Sequence, residues 1–406
     1  MKLPALRSLP AALILSSIVL FSAPAARART TFTPGVQVKA EYDDNILFSR
    51  VDEMSDWIAS LKPYLDLHYG TERLSTKTSV AVEAQRYIEE SEFDRENIFF
   101  TSDLSYLATE RVSLNADFAY TLDSILESEL DETGLVVGNL EDRQRLTGGG
   151  GMTYYLSELQ NLEFNFFLSA TEYDSETRID YDTAGVNARW NRSFKDQRSM
   201  ITVQPYWNKT SSDVSEVQTY GLLFGWSKEL TEKWTFTAFV GPRYTTTDYS
   251  LRQAELVIVP PGLLAVDIVT VNETESNWGG VADININYKG ETWRFTGSFN
   301  RDISYSSLGD PIDRDRFNAR ITKIFSRRVS AHLAGDVYFS ENEGEFSSED
   351  SESFSISPTL SYKLTENHVL TAGYRYNHYD DKTTDTDAAE KNRVWVAVKF
   401  NFPRYQ

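Results

Sequence analysis

The residues in this chain best suited to chemistry are few and badly placed for catalysis. There is no Cys, so thiol nucleophiles, disulfides and lipid attachment through a cysteine are all ruled out. Only four histidines occur: His68, His332, His368 and His378. His332 follows Ser330 by two residues, which on a strand puts both side chains on one face. A serine nucleophile of the Gly-x-Ser-x-Gly kind, a His-Glu-x-x-His pair and a phosphate-cradling glycine loop are all lacking. Ser330 and His332 therefore read as a pair in a wall, and the chain is not expected to be an enzyme.

Charges that recur at alternate positions are more informative. Lys62, Asp66, Arg189, Arg294, Arg316, Arg320, Arg375 and Lys399 each lie on the polar face of an alternating segment, as do Lys39, Glu41, Glu83, Asp117 and Asp283. Turned toward lipid, each Arg or Lys would cost ~2–4 kcal/mol at mid-depth of a bilayer. Turned toward an enclosed aqueous space, they line a pore, either as ordinary lumen residues paired across the wall or as facing rows of opposite sign whose field filters solutes. Tyr64, Tyr206, Tyr338 and Trp395 share that face, either packing against the wall or stacking on sugar rings.

Two further clusters stand apart. Acid is concentrated at Glu341, Glu343, Glu345, Glu349, Asp350 and Glu352, and again at Asp380, Asp381, Asp385, Asp387 and Glu390. These read as solvated loops, or as carboxylates that hold Ca or Mg loosely and bridge to lipopolysaccharide phosphates. No EF-hand spacing is present, and no resident cofactor or metal is expected. The second cluster is apolar and centres on Val259, Pro260, Pro261, Gly262 and Leu263. It is either a constriction or lid folded over the mouth, or a pair of strands extending above a membrane. A formal net charge of -20 argues against nucleic-acid partners.

The elements that position these residues follow from a period of two. Trp57-Ala59-Leu61-Pro63-Leu65-Leu67-Tyr69 alternates with Ser60, Lys62, Tyr64, Asp66 and His68; Val394-Val396-Val398-Phe400-Phe402 alternates with Arg393, Trp395, Ala397, Lys399 and Asn401. Such runs span 10 to 15 residues. That is longer than the ~5–6 of globular strands and enough for the ~9–11 tilted residues that cross a bilayer. Aromatics end the apolar faces, where interfacial girdles belong. Connections alternate between short turns and long acidic loops, as in barrels with periplasmic turns and outer loops. The expected fold is all-β: one transmembrane antiparallel up-and-down β-barrel of about 18 strands, with 16 as the alternative. The weakest strands are the first and the one carrying Gly148-Gly149-Gly150-Gly151, where the wall bends or a plug approaches.

The first 28 residues read as a cleaved secretory signal: Lys2 and Arg7, then the apolar stretch Ala11 to Phe21, then Ala26-Arg27-Ala28. Residues 29–406 would be the barrel. The last strand ends in Phe400 and Phe402, as barrel assembly signals do, but Pro403-Arg404-Tyr405-Gln406 follows.

The segment Pro34-Gly35-Val36 through Glu41-Tyr42-Asp43-Asp44-Asn45-Ile46-Leu47 resembles the start of the β-barrel porin type 2 family. The resemblance implies an outer-membrane barrel of a Gram-negative cell that serves export of an extracellular polysaccharide, with polysaccharide and periplasmic export proteins as partners besides lipid and lipopolysaccharide. Composition and spacing by themselves carry no sign of a polymer. The alternatives are a general diffusion porin for small solutes and a non-conducting structural or adhesive surface barrel.

Overall fold

In a computed structural model the residues described are 29–126, 129–130, 136, 140–175, 177–259, 263–305, 311–343, 348–383 and 387–405; the expected signal peptide lies outside them. Only the backbone is described at 251–259, 263–272, 342–343, 348–349 and 405. Eighteen antiparallel strands form the wall, each paired with its neighbour in sequence, and the first pairs with the last. They are β1 (Arg29–Asp43), β2 (Asp56–Gly70), β3 (Leu74–Tyr87), β4 (Arg95–Thr109), β5 (Val112–Ser124) and β6 (Asp142–Ser157). Next come β7 (Gln160–Tyr173), β8 (Tyr181–Ser193), β9 (Ser199–Ser212), β10 (Ser215–Glu229), β11 (Trp234–Val259) and β12 (Leu263–Lys289). The last six are β13 (Trp293–Tyr305), β14 (Pro311–Ile324), β15 (Val329–Glu343), β16 (Ser348–Lys363), β17 (His368–Asp381) and β18 (Ala389–Asn401). Both weak strands are present, so the wall has 18 strands and not 16.

What makes this a membrane wall is the outer face. Leu61, Phe166, Leu168, Phe224, Leu360 and Val394 are all half exposed or more, on strands whose other face is polar. Large apolar side chains in continuous outward rows have no core to enter, so they require acyl chains as solvent. From Trp57 to Tyr69 the strand rises about 40 Å at ~3.3 Å per residue, and a tilt of about 45° reduces this to roughly 28 Å, the height of a bilayer core. Aromatic pairs mark both edges. Trp234 packs on Tyr288 at 4.9 Å and Trp226 on Phe236 at 5.7 Å near the short turns. Tyr42–Trp57 at 5.3 Å and Tyr244–Trp278 at 5.2 Å lie toward the long loops. Such girdles fix the barrel's depth, and the protein is a multi-pass barrel of the Gram-negative outer membrane.

The tail after the last strand is not idle. The Phe402 amide donates to the Pro34 carbonyl at 2.9 Å, and after Pro403 a short strand β19 (Arg404–Tyr405) pairs with Thr31 and Phe32. Proline interrupts the ladder because it has no N–H to give, and the next two residues resume it.

Two hairpins depart from the wall. β11 and β12 pair without a break from Trp234↔Tyr288 to Val259↔Leu263, far longer than the other hairpins of the wall. β12 pairs with β13 only from Lys289↔Arg294 to Ala282↔Arg301, while β13 and β14 go on pairing to Tyr305↔Pro311. Above Ala282 the seam between β12 and β13 is therefore open, and two separate ribbons emerge.

The glycine run makes room for bulky neighbours. Space for a Cβ at Gly150 is taken by the Phe166 ring on the outside, and at Gly151 by the Asn115 and Asn165 side chains on the inside. The glycines accommodate large neighbours on both faces of the wall.

Candidate pore and its constriction

Alternation puts the eight expected lumen residues on the face opposite the apolar band. Lys62 bonds Glu83 at 3.2 Å and lies 4.0 Å from the Phe99 ring centroid. Asp66 accepts from Ser79 at 2.7 Å. Arg189 donates to Gln204 at 2.7 Å and stands 3.9 Å from Glu163. Arg316 is 2.9 Å from Asp336, and Arg375 donates to Asn377 at 3.0 Å. Lys399 caps the Tyr64 ring at 4.4 Å. Arg294 and Arg320 share this face on β13 and β14, across from Thr322 and Thr296. Ser330 and Thr322 hydrogen-bond the two ring nitrogens of His332 at 3.2 and 3.0 Å, so both nitrogens are taken up by hydroxyls of the wall.

The inward aromatics lie flat. Tyr64 covers Gly35, Tyr206 covers Gly221, Trp395 covers Gly373, Phe167 covers Gly185 and Phe239 covers Gly225. In every case the aromatic and the glycine are direct cross-strand partners. A glycine in a strand leaves a gap and a floppy backbone, and the ring opposite fills the one and covers the other. Tyr64, Tyr206 and Trp395 thus pack. Tyr338, the remaining member of the set, is buried and stacks under the Arg316 guanidinium at 4.9 Å.

The bore is crossed by chain that the alternation did not point to. The segment after β1 turns inward: Asn45, Ile46 and Phe48 are almost completely buried. Phe48, Leu126, Tyr379 and Ala389 form one buried cluster, against which Leu130, Val136 and Leu140 from the loop between β5 and β6 pack. In that loop Ile125 rests on Tyr173 and, beyond it, Tyr181. Tyr181 then meets Tyr305 with ring centroids 5.7 Å apart, although β9 to β12 separate β8 from β13 in the wall. An apolar chain therefore links β17 and β18 to β13 across the mouth.

The far end of that chain is the β13–β14 hairpin, which turns into the lumen like a tongue. Arg243 faces inward on β11, whereas Asp313 shares parity with the outward Phe317, yet the two form an ion pair. This is geometrically consistent only if the hairpin lies inside the wall, with its outer face toward β11. Gly279, paired with Arg243, makes the reach possible, since a Cβ there would sit 2.6 Å from Arg243 Nε. Along the tongue Arg314 grips Asp302 with bonds of 3.0 and 3.1 Å from Nη2, and Ile312 is buried. Two cavities flank it. The one toward β11, about 510 Å³, is lined by Glu275, Asp313 and Glu341 as well as Arg243. The one toward β6–β9, about 780 Å³, is lined by Arg145, Arg243, Arg314 and Arg316 with Asp302 as its acid.

Arg145, Arg243, Asp302 and Arg314 were not singled out by spacing. Following the parity Thr237-Phe239-Gly241-Arg243 along β11 places Arg243 inward, so part of the signal was present. In the apolar hairpin, Val259 and Leu263 close the described ladder, as the paired-strand reading has it, and Pro260, Pro261 and Gly262 lie outside the described residues.

Two acids of the rim are held by bases. Glu352 accepts from Lys382 at 3.1 Å, and this hydrogen bond raises the ammonium above its ordinary range. Asp381 pairs with Arg50 at 3.2 Å. Among the described residues no three His, Asp or Glu side chains converge as metal ligands would.

No protein-family profile matches this sequence, and no curated protein matches it either. Solved structures do. The open form of the ferric-catecholate import receptor Fiu from E. coli K12 is 11% identical at TM-score 0.48, over 93% of this chain and 82% of that one. Pseudomonas aeruginosa OccK2 (OpdF) is 12% identical at TM-score 0.46, over 92% and 98%. Acinetobacter baumannii OccAB3 is 12% identical at TM-score 0.45, over 94% and 100%.

Proposed function

We propose that the barrel is a channel for small hydrophilic solutes across the outer membrane, narrowed near its outer mouth by the β13–β14 tongue and the β5–β6 loop. The observation that carries this reading is the contact of Tyr181 with Tyr305 across the bore, set beside a charged, hydrated wall. A barrel of this size encloses water, and inward-folded chain restricts what passes. Export of a polysaccharide, the reading implied by the resemblance at Tyr42 to Ile46, requires the tongue to leave the bore so that a polymer strand can thread it. A diffusing small solute requires only the space beside it.

Single-channel recording in planar bilayers tests the proposal: discrete conductance steps are expected, and a silent barrel refutes it in favour of a structural or adhesive role. A deletion strain separates the two transport readings. Unchanged surface polysaccharide with slower uptake of small solutes supports the diffusion channel, and loss of surface polymer overturns it.

A further inference from the structure

We infer that the tongue is a gate with a second seat in the wall, in which the upper edge of β13 zips onto the upper edge of β12 in the register of the ladder below. Its effect on passage rests on the channel reading above; the second seat rests on the β12–β13 seam alone. That ladder ends at Ala282↔Arg301, yet both strands extend above it, β12 through Val281 and β13 to Tyr305. Continued step by step, the register sets Val281 opposite Asp302, Gly280 opposite Ile303, Gly279 opposite Ser304 and Trp278 opposite Tyr305. The side chains also mark a gap. A Cβ at Gly280 would meet nothing within 4 Å, and Trp278 is 71% exposed. A cavity of about 510 Å³ stands there, lined by Thr245 and Asn277, which face inward, and by Asp313 and Glu341, which carry outward parity. One cavity touches both faces of a sheet only where the sheet is open.

The two seats exclude each other. Asp313 and Tyr305 hold the tongue inside through Arg243 and Tyr181, yet they carry the parity of the outward Phe317 and Phe299. With the seam zipped, β12 and β13 stand between Arg243 on β11 and Asp313 on β14. The two are then three strand spacings, about 14 Å, apart and on opposite faces. Neither inward contact survives that move. In exchange, two open edges complete each other, since an edge strand is a template for another strand. Outward parity brings Ile303 and Tyr305 to the lipid face. Tyr305 then sits beside Trp278 and extends the girdle pair Tyr244–Trp278, whose rings lie 5.2 Å apart. Alternation of this kind is what a lipid-facing seat selects, and a fixed plug does not require it. The Arg314–Asp302 grip lies within the hairpin and travels with it. β14 keeps its ladder with β15 to Asp313↔Glu341, so the β13 edge swings about that ladder as a door about its jamb.

The chain has no cysteine, so paired cysteines read the two seats without interference. Gly280→Cys with Ile303→Cys is expected to form a disulfide on oxidation of the full chain in lipid vesicles, detected by mass after proteolysis. Gly280→Cys with Ser304→Cys is the register control. One residue off, its thiols point to opposite faces and should bridge about tenfold more slowly. Adding Arg243→Ala, which removes the latch, is expected to speed the first bond severalfold. The bond holds the tongue out of the bore, so oxidation should raise single-channel conductance at least twofold, and dithiothreitol should reverse it. Tyr181→Cys joined to Tyr305→Cys by a short bifunctional thiol reagent traps the inward seat and should keep conductance at its lower value. Heat-modifiable migration on gels reports folding. Trp278→Cys with Tyr305→Cys, the next outward pair of the same register, replaces the first pair if that one does not fold. Absence of the bond, or equal rates in the test and control pairs, overturns the gate. In a conducting barrel, a conductance unmoved by the bond overturns it as well. A barrel that forms the bond selectively yet stays silent refutes the channel and leaves the second seat, whereas a conducting barrel that forms no bond refutes the second seat and leaves the channel.

Discussion

Replacing Lys391 with Met should weaken the barrel at its closing seam by an amount that can be worked out from the geometry. Lys391 Nζ lies 2.7 Å from Asp43 Oδ2, with the two side chains 5% and 2% exposed, and it also donates to the Ile46 carbonyl at 3.2 Å. Met matches the length of the lysine stem, so little volume changes. What changes is that the Asp43 carboxylate stays buried with its counter-charge gone; the bond it keeps is the one from the Asn45 amide at 3.1 Å. Breaking a buried pair by removing one partner costs about 3–5 kcal/mol. That corresponds to roughly a hundredfold to several-thousandfold in the unfolding equilibrium. Replacing both, as Asp43→Leu with Lys391→Met, removes the stranded charge and should recover much of the loss, because an apolar pair of similar size often matches a buried ion pair. Denaturant unfolding in detergent followed by tryptophan fluorescence, together with the temperature at which the folded band is lost on gels, measures this. A single variant within about 0.5 kcal/mol of wild type refutes the reasoning, as does a double variant whose loss is the sum of the two single losses.

Arg243→Ala, which frees Asp313, should release the tongue and raise single-channel conductance; an unchanged conductance would show that the tongue is held by other means. Gly221→Val should drive Tyr206 off the wall, destabilising the barrel by about 1–3 kcal/mol in the same unfolding assay, and Tyr206→Ala added to it should relieve part of that strain. Deleting residues 255–268 should leave conductance as it was, because the ladder there belongs to a ribbon above the open seam, and a change would return the constriction to that hairpin.

The wall was almost fully legible because a barrel strand must repeat one rule for its whole length. Each residue faces lipid or water, so apolar and polar side chains alternate and the turns interrupt them. The expected number of about 18 strands agrees with the 18 of the wall, and the lumen charges followed from parity. The rule fails where chain leaves the wall. Ile303, Tyr305, Pro311 and Asp313 continue the same ladder as the wall below them, so nothing local separates tongue from strand. Its inward course depends on an ion pair between residues 70 apart in sequence and on a ring contact with β8. The Asp43-Asp44-Asn45-Ile46 segment leaves the wall for a related reason. Its alternation suggests strand to residue 46, but β1 stops at Asp43. Polar side chains that bond nearby backbone compete with the ladder, and here they win.

That segment also shows what the resemblance was measuring. Asn45 gives Nδ2 hydrogen bonds to the carbonyls of Ser49 at 2.7 Å and Glu390 at 2.9 Å, and its Oδ1 accepts from the Ser49 amide at 2.8 Å. Asp44 accepts from the Asn392 amide at 2.6 Å and from its side chain at 2.7 Å. Asp43 holds Lys391. Three consecutive residues at the end of the first strand thus engage three consecutive residues of the last, Glu390, Lys391 and Asn392. The contacts span some 345 positions of sequence, and they close the barrel where no hairpin can join its edges. A motif with that job says that a barrel closes at this point and launches an inward loop through Ile46 and Phe48. It carries no information about the solute. On the channel reading proposed above, passage is decided at the tongue, which lies on other strands. Two barrels sharing the seam motif are therefore free to carry different substrates, and the functional reading has to come from the bore.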